Sequence, residues 1–97
     1  MSEQLDQYKT KLINSILLAT SGQEVQTCID MSIKTLQQNN IDTKIIGKFV
    51  EMINQQLHWF SPMNKDPQQW SNITVAKVML YRWKRSFEST LNTAKNV

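Results

Sequence analysis

Five side chains in the last third of the chain could together hold a polyanion: Lys77, Tyr81, Arg82, Lys84 and Arg85. They belong to the run from Ile73 to Leu91, ITVAKVMLYRWKRSFESTL, which holds both arginines of the protein and no acid before Glu88. Laid on a helix, Lys77, Lys84 and Arg85 share one broad outward arc with Tyr81 between them, and Arg82 flanks it. Cations so placed would pair with phosphate oxygens, while Tyr81 or Trp70 would stack on a base. The commoner meaning of such a run is a solvated face, with Glu88 one turn from Lys84. Four cations also fall short of the basic stripe of a dedicated DNA-binding domain.

Other chemistry-bearing residues are isolated. His58 is the only histidine. A phosphorelay bundle would use such a residue, but His58 stands between bulky Leu57 and Trp59 at a helix end, without a nearby small residue or lysine. A structural histidine is the better reading. Cys28 is the only cysteine and lies at an inner helical position, where a thiol packs as a small hydrophobe. With no histidine near in sequence to activate it, a nucleophilic role has no support. Glu24 stands one turn from Cys28, but two ligands do not hold a zinc ion without partners.

The acids Glu3, Asp6, Glu24, Asp30, Asp42, Glu51, Asp66 and Glu88 are dispersed, and several sit at helix starts. No Glu-x-x-His pair, glycine-rich phosphate loop, zinc signature or nucleophile elbow occurs. The chain therefore reads as non-enzymatic, with no catalytic, cofactor-binding or metal-ligating residues and no cofactor.

The elements that would position these residues are helical. Leu5, Tyr8, Leu12, Ile16 and Ala19 make one stripe of a first helix from Ser2 or Glu3 to about Thr20, widened by Ile13 and Leu17. Ser21 with Glu24 three residues on fits a capping box, and Gly22 suits a left-handed stop for the preceding helix. Val25, Cys28, Ile29, Ile33 and Leu36 line a second helix, with Ser32 on the same stripe. Asn39-Asn40 ends it, because both side chains compete for backbone hydrogen bonds.

Asp42 reads as the next N-cap, with Ile41 and Ile46 in the positions of a hydrophobic staple. The third helix carries Ile45, Phe49, Val50, Met52, Ile53 and Leu57. Its Gly47 costs about 1 kcal/mol against Ala, and a close helix crossing would explain it. Pro62 ends that helix by Ser61.

The connection HWFSPMNKDPQQW is long and aromatic. Trp59, Phe60, Met63 and Trp70 are expected to close one end of the core. Asp66-Pro67-Gln68-Gln69 is a helix start. If helix ran unbroken from Pro67, Trp70 would join Lys77, Tyr81 and Lys84 outside. A break near Ser71-Asn72 is preferred, leaving Pro67 to Trp70 as a short extra turn. The last helix then runs from Ile73 to about Thr93, with Ala76, Met79, Leu80, Trp83, Phe87 and Leu91 inward and a frayed tail at residues 95–97.

Ninety-seven residues suit one domain, 1–97, and not two. Hydrophobic residues make up 40%, which with a net charge of only +3 excludes disorder. With 2 Gly and 2 Pro there are too few turns for a sandwich or barrel. The fold class is all-α: a four-helix bundle, up-down-up-down and antiparallel, its helices of roughly 17–22 residues spanning about 25–33 Å. An irregular orthogonal bundle with the Pro67 turn as an extra element is the runner-up.

The opening MSEQLDQYKTK carries acids and no basic region leading into an apolar core, so no signal peptide is read there. No apolar run approaches the roughly 18 residues that span a bilayer. A single cysteine suits a reducing compartment, and a cytoplasmic location with no membrane partner is expected.

The expected function is that of a small protein-interaction module whose partner is another protein or a second copy in a homodimer. Leu18, Met31 and Val78 are predicted to point outward from their helices. Leu18, Met31 and Trp70 are the candidate partner surface, and convergence of the outward apolar residues would mark it. Weak binding of nucleic acid or another polyanion by the basic outer face is the alternative. A small-molecule or enzyme site at His58, Trp59, Phe60 and Trp70 ranks third.

Overall fold

The computed structural model describes residues 2–95, with side chains for residues 5–61 and 63–88. The chain forms four α-helices, α1 (Ser2–Leu18), α2 (Gly22–Gln38), α3 (Thr43–His58) and α4 (Pro67–Lys95), with a single 3₁₀ turn at Pro62–Asn64. Among the described residues there is no strand. The all-helical expectation holds.

The starts of α2, α3 and α4 each follow from a side chain that satisfies an otherwise orphaned N–H group. Ser21 Oγ accepts from the Glu24 N–H at 3.1 Å to open α2. Asp42 Oδ1 accepts from the Lys44 N–H at 2.9 Å to open α3. Asp66 Oδ1 accepts from the Gln69 N–H at 2.7 Å, with Pro67 in the first helical position of α4.

The capping box at Ser21 departs from its usual form. The Glu24 carboxylate reaches past Ser21 and accepts from the backbone N–H and the hydroxyl of Thr20. Those two donors hold its pKa below the ordinary 4.5.

Gly22 does not provide the expected left-handed stop for α1, since no glycine has positive φ. The left-handed residue is Asn40, at φ 61° beyond the end of α2. There the Ile41 N–H donates to Leu36 O and the Asn40 N–H donates to Gln37 O, both at 3.1 Å. This is the paired bonding of a Schellman stop, with asparagine where glycine is commonest.

The core is one cluster drawn from all four helices. α1 supplies Leu12, Ile13 and Ile16, and α2 supplies Val25, Ile29, Ile33 and Leu36. α3 adds Ile46, Phe49, Val50, Ile53 and Leu57, and α4 adds Ile73, Ala76, Leu80 and Phe87. Met79 and Trp83 pack against this cluster without being fully buried. Trp83 lies 5.6 Å from Phe87 between ring centroids, and its indole N–H donates to Asp30 Oδ1 on α2 at 3.2 Å. The predicted inner position of Leu91 and the frayed tail at 95–97 lie outside the residues whose side chains are described.

The largest correction concerns α4. It does not break at Ser71-Asn72 but runs for 29 residues from Pro67. That is about 43 Å at 1.5 Å per residue, and it sets the long dimension of a molecule measuring 47 × 26 × 22 Å. An asparagine can interrupt a helix by bonding to its own local backbone. Instead Asn72 is fully buried, accepts from Gln68 Nε2 at 2.9 Å and donates through Nδ2 to Ala19 O at 2.7 Å. Its amide thus satisfies a carbonyl just past the end of α1, and the helix passes through it intact.

α4 packs against all three other helices, most extensively against α3 and then α2. α2 and α3, although consecutive, meet least. Gly47 is not the site of a close crossing, because a Cβ built there would meet nothing within 4 Å. At Gly22 a Cβ would meet Val75 Cγ2 of α4 at 3.5 Å, so the near approach of backbone to neighbour lies at that corner.

Candidate functional site

The outward apolar residues of α1 and α2 converge. On α1, Tyr8, Lys11, Ser15 and Leu18 follow helical spacing along the flank of the buried stripe. On α2, Glu24, Thr27, Cys28, Met31 and Thr35 do the same. One cleft is lined by Ser15, Leu18, Ala19, Ser21, Gln23, Glu24, Thr27 and Cys28. A second is lined by Tyr8, Lys11, Leu12, Ser15, Cys28, Met31, Ser32 and Thr35. Because Ser15 and Cys28 line both, the clefts form one groove along the α1–α2 seam. Leu18, 78% exposed, stands at one end, and Met31, 63% exposed, at the other.

Three hydroxyls in this groove are turned toward their own helices. Ser15 Oγ donates to Lys11 O at 3.0 Å, Thr27 Oγ1 to Gln23 O at 3.0 Å, and Thr35 Oγ1 to Met31 O at 2.7 Å. With their protons committed, they add little desolvation cost when another surface covers the groove. A polar small molecule would find few free donors on these hydroxyls; an apolar surface would lose little there.

Trp70 does not belong to this groove. It packs partly buried against the core cluster, and the Lys77 ammonium lies 5.3 Å from its ring centroid. The unbroken helix places Trp70 in line with Lys77 and Tyr81, yet the indole also reaches the core. The Arg85 guanidinium lies 5.9 Å from the Tyr81 ring. Lys77, Tyr81 and Arg85 are thus brought together along α4, with two cations occupying aromatic faces that a base would need for stacking. Lys77 and Lys84 are half-buried, whereas Tyr81, Arg82 and Arg85 are exposed. Among the described residues the ion pair found is Lys9–Asp6 at 3.7 Å, so none of these four cations has a carboxylate within 4.0 Å.

The aromatic connection closes the core only in part: Phe60 and Trp70 pack against it, whereas Trp59 and Met63 do not. Trp59 is 86% exposed and Met63 93% exposed. Leu57 is the last core residue of α3, and the helix stops with Trp59 at its cap, two residues on and facing the opposite way. Phe60 does pack against the core, with the Lys65 ammonium 4.7 Å from its ring centroid. Trp59 and Phe60 line a shallow cleft with Lys9, Met52, Gln55 and Gln56, which includes neither His58 nor Trp70. Met52, expected inside, is 39% exposed because it lies beyond the edge of the stripe through Ile46, Phe49, Ile53 and Leu57.

A further cleft of about 580 Å³ lies where α1 meets the α2–α3 corner, lined by Leu5, Gln7, Tyr8, Lys11, Leu36, Asn39, Ile41 and Ile45. Among the described residues its lining includes no acid, histidine or thiol. Among the described residues no cluster of His, Cys, Asp and Glu could hold a metal ion, and no helix is long and apolar enough to cross a membrane.

Two features were missed in the sequence. The buried, bonded amide of Asn72 lies where a break near Ser71-Asn72 was preferred, and the seam along which the Leu18 and Met31 flanks meet was not specified. Both have a sequence signal in retrospect: Asn72 is one residue from Ile73 on the buried side of α4, and each flank repeats at helical spacing. Compared with protein families, with curated proteins and with solved structures, the chain matches none.

Proposed function

We propose that the chain is a small, non-enzymatic, cytoplasmic interaction module that binds a protein surface through the α1–α2 groove. The observation that carries this reading is that Leu18 and Met31 both line one seam, three of whose hydroxyls, Ser15, Thr27 and Thr35, already donate to their own backbone. Exposed apolar residues gathered in one place favour a partner, whereas scattered ones carry no such meaning. Trp70 leaves the proposed surface, and Tyr8 enters it.

For the arrangement, the short corners at 19–21 and 39–42 support successive antiparallel neighbours through α3. The extensive α2–α4 contact, against a sparse α2–α3 contact, favours α4 as a central helix over a square up-down-up-down bundle.

The test is site-specific photocrosslinking in cells, with a photoreactive residue at position 18 or 31 and a control at Lys48 on exposed α3. Discrete adducts from positions 18 and 31, absent from 48, are expected. The same adduct pattern from all three positions, or none from any, would end the reading.

The alternative is weak polyanion binding by Lys77, Arg82, Lys84 and Arg85, supported by their having no ion pair among the described residues. Against it, Trp70 and Tyr81 already carry a cation on one face. Titration of labelled single-stranded oligonucleotide at low salt, with Arg82→Glu and Arg85→Glu as controls, distinguishes it from the groove reading.

A further inference from the structure

The α1–α2 groove carries opposite charge at its two ends. Lys11 is the charged residue lining the end with Tyr8 and Met31, and Glu24 is the charged residue lining the end with Leu18. Glu24 is anchored by two hydrogen bonds from Thr20, which favour its ionised form. Ser15 and Cys28, common to both clefts, mark the middle.

Such a surface is complementary to itself in one orientation. A two-fold axis lying in the interface and crossing the groove at Ser15 and Cys28 sets each lysine end on the partner's glutamate end. The same operation lays Leu18 of one copy toward the Tyr8 end of the other. A parallel pairing would set lysine end on lysine end and is disfavoured by repulsion.

We propose that the occupant of the groove is a second copy of this chain, docked antiparallel through α1 and α2. This rests on reading the groove as a protein-binding surface and names its partner. Each of these helices has 17 residues. Two of them side by side offer about 25 × 20 Å, or roughly 1,000 Å² for the pair of copies, at the lower edge of specific interfaces. The dimer is therefore expected to be weak and reversible, dissociating in the micromolar range or above.

Sedimentation equilibrium from about 1 µM to about 1 mM tests this, because that range brackets the expected constant. A monomer–dimer equilibrium is expected, weakening as salt is raised. Leu18→Asp and Met31→Asp should each abolish it while leaving the helical circular dichroism and its melting unchanged at monomer concentrations. Lys11→Glu should weaken it about tenfold by placing acid against acid, and Glu24→Gln added to that variant should recover part of the loss. Glutamine keeps an acceptor for Thr20, so the cap survives.

A monomer throughout the range would overturn the proposal, as would a dimer indifferent to Leu18→Asp and Met31→Asp. A dimer strengthened by Lys11→Glu would overturn it too. If the chain is monomeric but positions 18 and 31 still give adducts with another protein, the interaction reading survives and the second copy is ruled out. If they give no adducts either, both fall.

Discussion

α1 and α2 leave Leu18 and Met31 in the open along a shared groove, while α3 and α4 close over the largest part of the core. Both pairs are amphipathic, so the apolar stripe does not explain the difference. The residues at the edge of the stripe do. Where α1 meets α2 those edges carry Ser15, Cys28, Ser32 and Thr35, which are too small to fill the space between two helices. On α4 the edges carry Trp70, Met79 and Trp83, which reach over the seam and pack against the core. Stripe position decides what is buried; side-chain bulk at the margin decides whether a groove remains.

The contrast can be broken most severely from the α3 side. Phe49→Ala, at a site 2% exposed, should cost about 3–5 kcal/mol in chemical denaturation through lost burial and a residual cavity. The same measurement on Leu18→Ala should move stability by no more than about 0.5 kcal/mol at monomer concentrations.

The next largest effect is expected where the two pairs are joined. Asn72→Ala removes the donor to Ala19 O and should cost about 1–3 kcal/mol. If it costs less than a surface substitution, the amide is not holding the end of α1. Asn40→Val should lose about 1–2 kcal/mol, because a β-branched residue must then adopt φ 61° at the corner between α2 and α3. Thermal melts of Asn40→Gly, which should be no less stable than wild type, provide the control.

Gly47→Ala sharpens the comparison in the other direction. No neighbour blocks a methyl group there, so α3 should gain up to about 1 kcal/mol. That would appear as a rise in melting temperature of about 4–8 °C at most. A loss of stability would mean that α3 needs the glycine for a contact.

The smallest effect lies at the α1–α2 corner. Glu24 has its pKa lowered by the backbone and hydroxyl donors of Thr20. A depressed carboxylate contributes stability above its ordinary value, and that contribution is lost as pH falls through the depressed one. Acid titration of the wild type should therefore show a small loss beginning below the ordinary value of 4.5 that Glu24→Gln lacks.

Periodicity alone disclosed much of this molecule. The apolar spacing that marks Leu12, Ile16, Ile29, Ile33, Phe49, Ile53 and Leu80 as inward is the same spacing that buries them. The caps at Ser21, Asp42 and Asp66 were legible because each chemistry is local, involving a side chain and a backbone N–H within three residues. Asn72 was not legible because its partner, Ala19 O, is supplied by the distant corner between α1 and α2. Trp59 misled for a related reason: its bulk suggested burial, but burial depends on where α3 stops relative to Leu57. As for the candidate site, the outward direction of Leu18 and Met31 could be read from each helix separately. Their meeting in one groove could not, since it needs the α1–α2 register.

Two hydrogen bonds reach from α4 back to the first half of the chain, Asn72 to Ala19 and Trp83 to Asp30, each across 53 positions. A ribosome makes α1, α2 and α3 before it makes the helix that touches all three. Until Ile73, Ala76 and Leu80 emerge, the inward faces of the earlier helices have no common partner, and the carbonyl of Ala19 has no amide to meet. Packing of the shared core is thereby deferred until α4 has been made. The α1–α2 seam, which needs only neighbouring sequence, can form while the nascent chain is still waiting for α4.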